Sequence, residues 1–361
     1  MLNGIRIIEV EGLGPGPFAA MLLADLGADV ITVHRKGGAV TPGMPEKSLL
    51  DRGKRSIALD LKDPDDIDTF KALVATADGL IEGFRPGVME KLGIGPEVCQ
   101  QINPALVFGR MTGWGQDSAL SHAAGHDLNY ISLSGALWYA SAPGDAPQTP
   151  ATLVGDIGGG AMYLAVGMLA GILNARATGA GTVVDAAIYD GSAHMMNLLM
   201  SIRQTGQFVA PRGQSLLDGP HWSRTYRTAD GGFMTVQCLE PKFYAQFLDL
   251  LGLSDDPDFQ RQFDKALWPL LSERLAEIFA SQPRDHWAAL FEGTDACVAP
   301  VLNPEEAMAH KMNARGAWVE ADGVLQAAPA PRFAGQPDWT PPTSPSRGEH
   351  DAEIRAELAQ K

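Results

Sequence analysis

Cysteine is scarce in this chain: three in 361 residues, at 99, 238 and 297, with no paired spacing. So odd and scattered a set excludes a disulfide framework and offers no zinc-ligand cluster, and no metal is expected. It suits reduced thiols in a cytoplasmic protein. Basic charge is also short. Lys and Arg total 28 against 43 Asp and Glu, a net charge of −15, which argues against general nucleic-acid binding. Long apolar runs are missing too. The longest, Gly158 to Leu173, is rich in Gly and Ala and falls short of the roughly twenty residues a membrane span needs. It reads as a buried core helix, and no membrane association is expected. The first ten residues, Met1 to Val10, read directly as a strand and lack the pattern of a signal peptide. The last six, Ala356 to Lys361, carry no peroxisomal address.

What is present is an ordinary globular composition, 45% apolar and 20% charged, in a chain long enough for two domains. An apolar strand at Arg6–Val10, a Gly-Pro turn over 12–17, a helix over 18–26 and a strand over 28–34 make a β-α-β unit. Further strands are expected at 79–82, 105–111 and 183–188, with an extended segment at 56–61. Helices are expected over 63–77, 86–92, 127–139, 158–175 and 189–205. Asp63 and Pro64 supply an N-cap and a first helical residue. This alternation predicts an α/β protein with an open, doubly wound parallel sheet. Residues 206–222 are polar and aperiodic. Strand-like segments at 224–230 and 231–239 and a helix over 241–251 then begin a second unit. Helices near 267–281, 285–291 and 305–313 and a strand at 297–302 continue it. A proline-rich tract over 328–345 and a small helix over 350–359 close the chain.

Four groups of residues invite a chemical reading. Gly12-x-Gly14-x-Gly16 follows a strand, but Pro15 and Pro17 remove donors that a pyrophosphate cradle needs. A tight turn is the better reading than an NADP site, for which Arg35 would be the only support. Basic residues nevertheless gather at Arg35, Lys36, Arg52, Lys54, Arg55, Arg85 and Lys91. Such a run is commonly a solvated face. Here Gly53 loosens the loop, so that guanidinium forks can approach phosphates, as on coenzyme A. His126 and Asp156 each stand where a glycine-loosened turn opens an apolar helix, whose N–H groups can hold an oxyanion. Two groups that titrate on either side of neutrality can each give or take a proton there. The bland alternatives are a core histidine and an N-cap. Glu240 ends a strand just before Pro241, and Met195, Met196 and Met200 read as core or as an accommodating apolar surface.

With these residues in view, the chain resembles the family III CoA transferases along nearly its whole length. The landmarks are Gly14-Pro-Gly-Pro17, Leu23-Ala-Asp-Leu-Gly-Ala28, Arg52-Gly-Lys-Arg-Ser56, Arg85-Pro-Gly-Val-Met-Glu-Lys-Leu-Gly93, Met111-Thr-Gly-Trp-Gly-Gln116, Gly125-His-Asp-Leu-Asn-Tyr130, Gly155-Asp156 and Thr294-Asp-Ala-Cys-Val-Ala-Pro-Val301. The resemblance implies a Rossmann-like large domain with a smaller inserted α+β domain, and two chains interlocked as a homodimer with each active site between chains. It places the large domain at 1–188, a linker at 189–223, the small domain at 224–315, and the return linker with the rest of the large domain at 316–361. In the family's transferases the aspartate matching Asp156 is a nucleophile that moves CoA between carboxylic acids. Its racemases add a histidine and a glutamate, matched here by His126 and Glu240. The resemblance therefore implies epimerisation of 2-methylacyl-CoA by proton transfer through an enolate, with CoA transfer as the alternative. On this reading Glu240 orients His126, and Gly125, Asp127 and Tyr130 surround the thioester, with the Asp127 N–H taking the oxyanion. Arg35, Arg52, Arg55, Leu59, Leu61, Lys62 and Arg85 hold the CoA moiety, and no separate cofactor is expected.

Three departures from the racemase pattern stand out. Thr152 replaces an asparagine, Leu217–Tyr226 is altered and about one residue shorter, and Gln237-Cys238-Leu239 replaces Gly-Ala-Ile before Glu240. Both of the latter changes are expected near the active site, with an altered acyl preference.

Overall fold

The computed structural model describes residues 1–38, 45, 47–321, 323–335 and 339–360. They fall into two units: residues 1–137, 149–196 and 316–361 form the first, and residues 138–148 and 197–315 the second.

In the first unit, six strands line up in parallel in the order β3-β2-β1-β4-β5-β6. They are β1 (Arg6–Val10), β2 (Asp29–Arg35), β3 (Arg55–Leu59), β4 (Gly79–Glu82), β5 (Val107–Thr112) and β6 (Val183–Ala187). Each of β1, β2 and β4 is almost wholly buried, as continuous apolar runs demand when helices cover both faces. Helices α1 (Pro15–Asp25), α2 (Pro64–Val74), α3 (Val88–Lys91) and α4 (Pro96–Ile102) lie within the first four crossovers. Asp63 caps α2 by accepting from the Asp65 and Asp66 amides, with Pro64 at the first turn.

Helix α5 (Asp127–Ser134) is followed by a π-helical segment, Leu153–Ala161, that continues without a break into α6 (Met162–Thr178). Leu164, Ala165, Met168, Ile172 and Ala175 of α6 pack with Leu23 of α1 and Ile7 of β1 in one core layer. Phe70, Leu73 and Val74 of α2 pack with Ile8, Ile31 and Phe108 in the opposite layer. The π and α6 segments together make 26 residues, long and apolar enough to cross a membrane by length and composition. That corrects the expectation of a run too short to span. Its packing against the sheet makes it a core helix.

Beyond α6 and β6 come α7 (Ile188–Met195) and α8 (Asn197–Arg203), two helices in place of the single one expected. In the second unit an antiparallel sheet has the order β7 (Ser223–Arg227), β8 (Phe233–Gln237), β9 (Val298–Pro300). It packs with α9 (Pro241–Leu250), α10 (Trp268–Phe279) and α11 (Arg284–Phe291) around Trp222, Phe247, Phe259 and Phe279. Residues 138–148, expected in the large unit, belong here. Trp138 Nε1 donates to Ala210 O at 2.7 Å, Tyr139 donates to Val209 O at 3.1 Å, and Arg212 donates to Ala140 O at 3.0 Å.

A short helix α12 (Pro304–Ala309) precedes the return to the first unit. There an unexpected hairpin pairs β10 (Trp318–Ala321) with β11 (Val324–Ala327). The proline-rich tract follows, its residues 336–338 lying outside the described residues. The last helix, α13 (Asp351–Ala359), closes the β3 edge of the sheet. Asp351 accepts from the Ala58 N–H at 2.8 Å and His350 from the Ser56 N–H at 3.1 Å, which blunts an otherwise open ladder.

Candidate active site

The strand order reverses between β1 and β4, and in open α/β sheets the crevice beyond the carboxyl ends at such a point takes the ligand. An open cavity of about 620 Å³ lies there. Val10 and Gly12 border it from β1, Ile81 and Gly83 from β4, and Met111 and Thr112 from β5. Its wall also carries Gly125, His126, Tyr130, Asp156, Arg85 and Trp114.

His126 is brought here as the N-cap of α5, in extended conformation at φ −137°. The Asn129 side chain accepts its backbone N–H at 3.0 Å. Its imidazole is exposed on the cavity wall, at the start of a capping box shared with Asn129. The Asp127 N–H, at the first helical position, has no hydrogen-bond partner among the described residues. Tyr130 donates to the Gly125 carbonyl and meets the Trp114 ring edge-on at 4.7 Å. Gly125 has to be glycine, since a Cβ there would lie 2.7 Å from the Tyr130 ring.

Asp156 lies in the π-helical segment, half-buried across the cavity wall from the Gly12–Pro17 turn. At Gly14 the backbone takes φ +68°, and a Cβ would come 3.8 Å from Asp156 Oδ2. Glycine serves that turn because it alone accepts a positive φ freely. Burial pushes the Asp156 carboxyl up to about 6, the Asp127 carboxylate adds to the rise, and His126 opposes it. An acid poised this close to neutrality can both give and take a proton. Thr152, which opens the segment, sits at φ +61° and is exposed. It makes no side-chain cap; the Asp127 carboxylate holds the Asp156 amide instead, at 2.8 Å.

The expected basic island needs correction. Arg52 is 3% exposed. It grips Asp25 through two nitrogens at 3.1 and 2.6 Å, donates to Gln326 and Ala327, and stacks on Trp339. Arg55 pairs with Asp29, Glu353 and Glu357, and its guanidinium is held above its ordinary value by those carboxylates against the opposing effect of burial. Lys54 is enclosed, bonded to Glu9 at 2.6 Å. Leu59 is core, and Leu61 packs against the same layer. These side chains are spent inside the fold, because Asp25 and Asp29 reach them from the end of α1 and the start of β2. Arg35, Lys62 and Arg85 carry no ion pair among the described residues, and Arg85 lines the cavity. Glu82 is buried beneath that stretch, pushed up to about 7 by burial, and accepts the Phe84 N–H at 2.6 Å and Arg110 at 3.0 Å.

Glu240 belongs to the second unit, where it caps α9 with an exposed side chain that makes no hydrogen bond among the described residues. The altered segments around it turn out to be core. His221 and Trp222 are fully buried, and Cys238 is enclosed with its thiol pushed up to about 12 by burial. Gln262 ties them together: its side chain donates to the Cys238 and Leu239 carbonyls at 3.1 and 2.9 Å, and its carbonyl accepts Trp222 Nε1 at 3.1 Å. His221 and Trp222 therefore fill the unit's interior, while Thr225 and Gln237 of the same altered segments are exposed. Conversely, Trp114 and Gly14 lie on the cavity wall although sequence reasoning gave them no role. Only their place in the Met111–Gln116 and Gly14–Pro17 landmarks signalled them.

A doubly wound parallel sheet that sets an exposed imidazole and a carboxyl raised toward neutrality around its switch-point cavity defines an α/β enzyme of acyl or proton-transfer chemistry. The chain belongs to CoA-transferase family III, whose model matches residues 2–351. It is 41% identical to the α-methylacyl-CoA racemase of Mus musculus, over 99% of this chain and 93% of that protein. With the α-methylacyl-CoA racemase of Homo sapiens the identity is 40%, again over 99% and 93%. Among solved structures, a CaiB/BaiF family protein from Brucella suis aligns with a TM-score of 0.81 and 26% identity, over 99% of this chain and 98% of that one.

Proposed function

We propose that this chain is an isomerase that racemises 2-methylacyl-CoA thioesters. The observation that carries the reading is one cavity wall holding both an exposed imidazole, His126, and a carboxyl that burial raises to about 6, Asp156. One group removes the α-proton, and the C–H electron pair passes into the thioester as an enolate. The other group returns a proton to the opposite face of the α-carbon. The developing oxyanion takes the free Asp127 N–H, a kind of contact whose removal costs on the order of 10²–10³ in rate. Arg85 and Arg35 supply cations for the CoA phosphates. CoA enters as part of the substrate, and the steps call for no further cofactor.

The same reading takes the functional unit to be an interlocked homodimer in the cytoplasm, with Glu240 of the partner subunit orienting His126. Support comes from Glu240 having an exposed, uncommitted carboxylate and from the exposed apolar side chains Met162, Val166 and Leu173 along α6. The test is incubation with one epimer of a 2-methylacyl-CoA in D₂O, without an acceptor acid. Deuterium entry at the α-carbon with the epimer ratio moving toward unity is expected, and His126→Ala abolishes both. CoA moving only when a second carboxylic acid is supplied, with no α-exchange, makes Asp156 a nucleophile and overturns the racemase reading.

A further inference from the structure

We propose that the side chain of Asp127, as distinct from its backbone N–H, is a positioning residue for the proton transfer. Its carboxylate clamps the chain at Gly155–Asp156 and keeps the neighbouring Asp156 carboxyl in its proton-bearing form. The proposal rests on the racemase reading for its chemical meaning but not for its test.

The geometry is unusual for an acidic residue at the first position of a helix. Asp127 is 5% exposed, and its Oδ1 accepts the Gly155 and Asp156 amides, both at 2.8 Å, at the opening of a different helix. Those amides lie early in the π-helical segment, where donors lack intrahelical partners. Oδ2 is buried and has no hydrogen-bond partner among the described residues. Gly155 is shaped around the clamp: a Cβ there would fall 2.5 Å from Asp127 Oδ1 and 2.9 Å from Ile131. Asp127 has no cationic partner among the described residues, so its charge is answered only by amide dipoles and falls on its neighbour.

The groups facing that neighbour are few. From α5 come His126, Asp127 and Tyr130, and from the turn after β4 comes Arg85, which shares the cavity. The Gly12–Pro17 turn brings no charge. On the other elements packed there, His194 is bonded to Tyr163, Arg110 to Glu82 and Glu90, and Asp185 to the Gln116 amide, while Tyr189 and Asp190 are exposed. Two carboxylates sharing a site cannot both ionise cheaply; the two amides that Asp127 accepts favour its charged form, which leaves the proton on Asp156. That is the form Asp156 needs to protonate the enolate, and the same charge makes it a stronger base in reverse.

The experiment is a ¹³C NMR titration of protein labelled at aspartate carboxyls, with the Asp156 resonance assigned by its loss in Asp156→Asn. Asp127→Asn retains an acceptor for both amides and removes the charge. The Asp156 midpoint, near 6 in the unsubstituted protein, is expected to fall by roughly 1 unit or more. The same fall is expected in Asp127→Ser, which keeps a hydroxyl acceptor and serves if the asparagine variant does not fold. A midpoint that stays in place when the charge is removed overturns the proposal. The α-exchange assay runs on the same samples. A fallen midpoint in protein that never exchanges α-protons supports the Asp127–Asp156 coupling while sinking the racemase reading. Where exchange occurs, the acidic limb of its pH profile, which reports the coupled groups jointly, moves down with the midpoint. A purely structural Asp127 would lower the rate without moving that limb.

Discussion

At Thr152 the main chain sits at φ +61°, a conformation that places a β-branched side chain against its own carbonyl and costs about 1–2 kcal/mol. Asparagine accepts left-handed backbone more readily, because its short side chain bonds locally. The asparagine that the resembling racemases carry at this position therefore fits the backbone rather than only the aspartate four residues on. Asp127 already holds the Asp156 amide, so threonine here strains the turn and leaves the Asp156 carboxyl in place. Thr152→Asn is expected to stabilise the protein by about 1 kcal/mol, read as a higher urea midpoint, with little change in the rate of α-exchange. A large change in rate without a gain in stability would return the residue to the site itself.

Elements divide sharply into those legible from the chain and those that were not. Strand β1 and strand β4 read off with their observed bounds, and α2 announced itself through Asp63 and Pro64. Helix α5 stops at Gly135 because that residue takes the left-handed C-cap, a signal present in the chain but outweighed by apolar spacing up to Tyr139. Helix α4 also advertised itself, with Pro96 at its first turn and Glu97 beside it, yet its seven residues show little periodicity. The positions of His126 and Asp156 were legible because each sits where glycine meets an apolar helix. Partners of charged side chains were not, since Asp25 is 27 residues from Arg52 in sequence and only the tertiary fold brings them together. That distinction has a measurable consequence. Arg52→Ala leaves the Asp25 carboxylate buried without its partner, and losses of that kind run to about 3–5 kcal/mol. Its main effect is expected in thermal unfolding. Arg85→Ala removes a cation that no carboxylate pairs with among the described residues, so the unfolding temperature should hold while KM for the acyl-CoA rises. Equal destabilisation of the two variants would refute this assignment.

For the whole molecule, the helix from Leu153 to Thr178 carries more apolar surface than one chain covers. Met162 is 43% exposed, Val166 62% and Leu173 71%, and apolar patches of this kind on a folded chain mark contact with another surface. A second copy of the chain is the occupant proposed above, and on that proposal it also brings its Glu240 carboxylate to His126. Subunit complementation separates this arrangement from a site completed within one chain. Asp156→Asn and Glu240→Gln chains are each expected to be weak or inactive when expressed alone. Co-expressed with different tags and purified as the mixed dimer, they place an intact Asp156 from one chain against an intact Glu240 from the other at one of the two sites. The second site combines both defects. Activity in the mixed dimer should therefore recover to about half that of the unsubstituted dimer, measured as α-deuterium incorporation per site. If both residues served the same site from the same chain, every site in the mixed dimer would carry one defect, and the activity would stay at the average of the two parents.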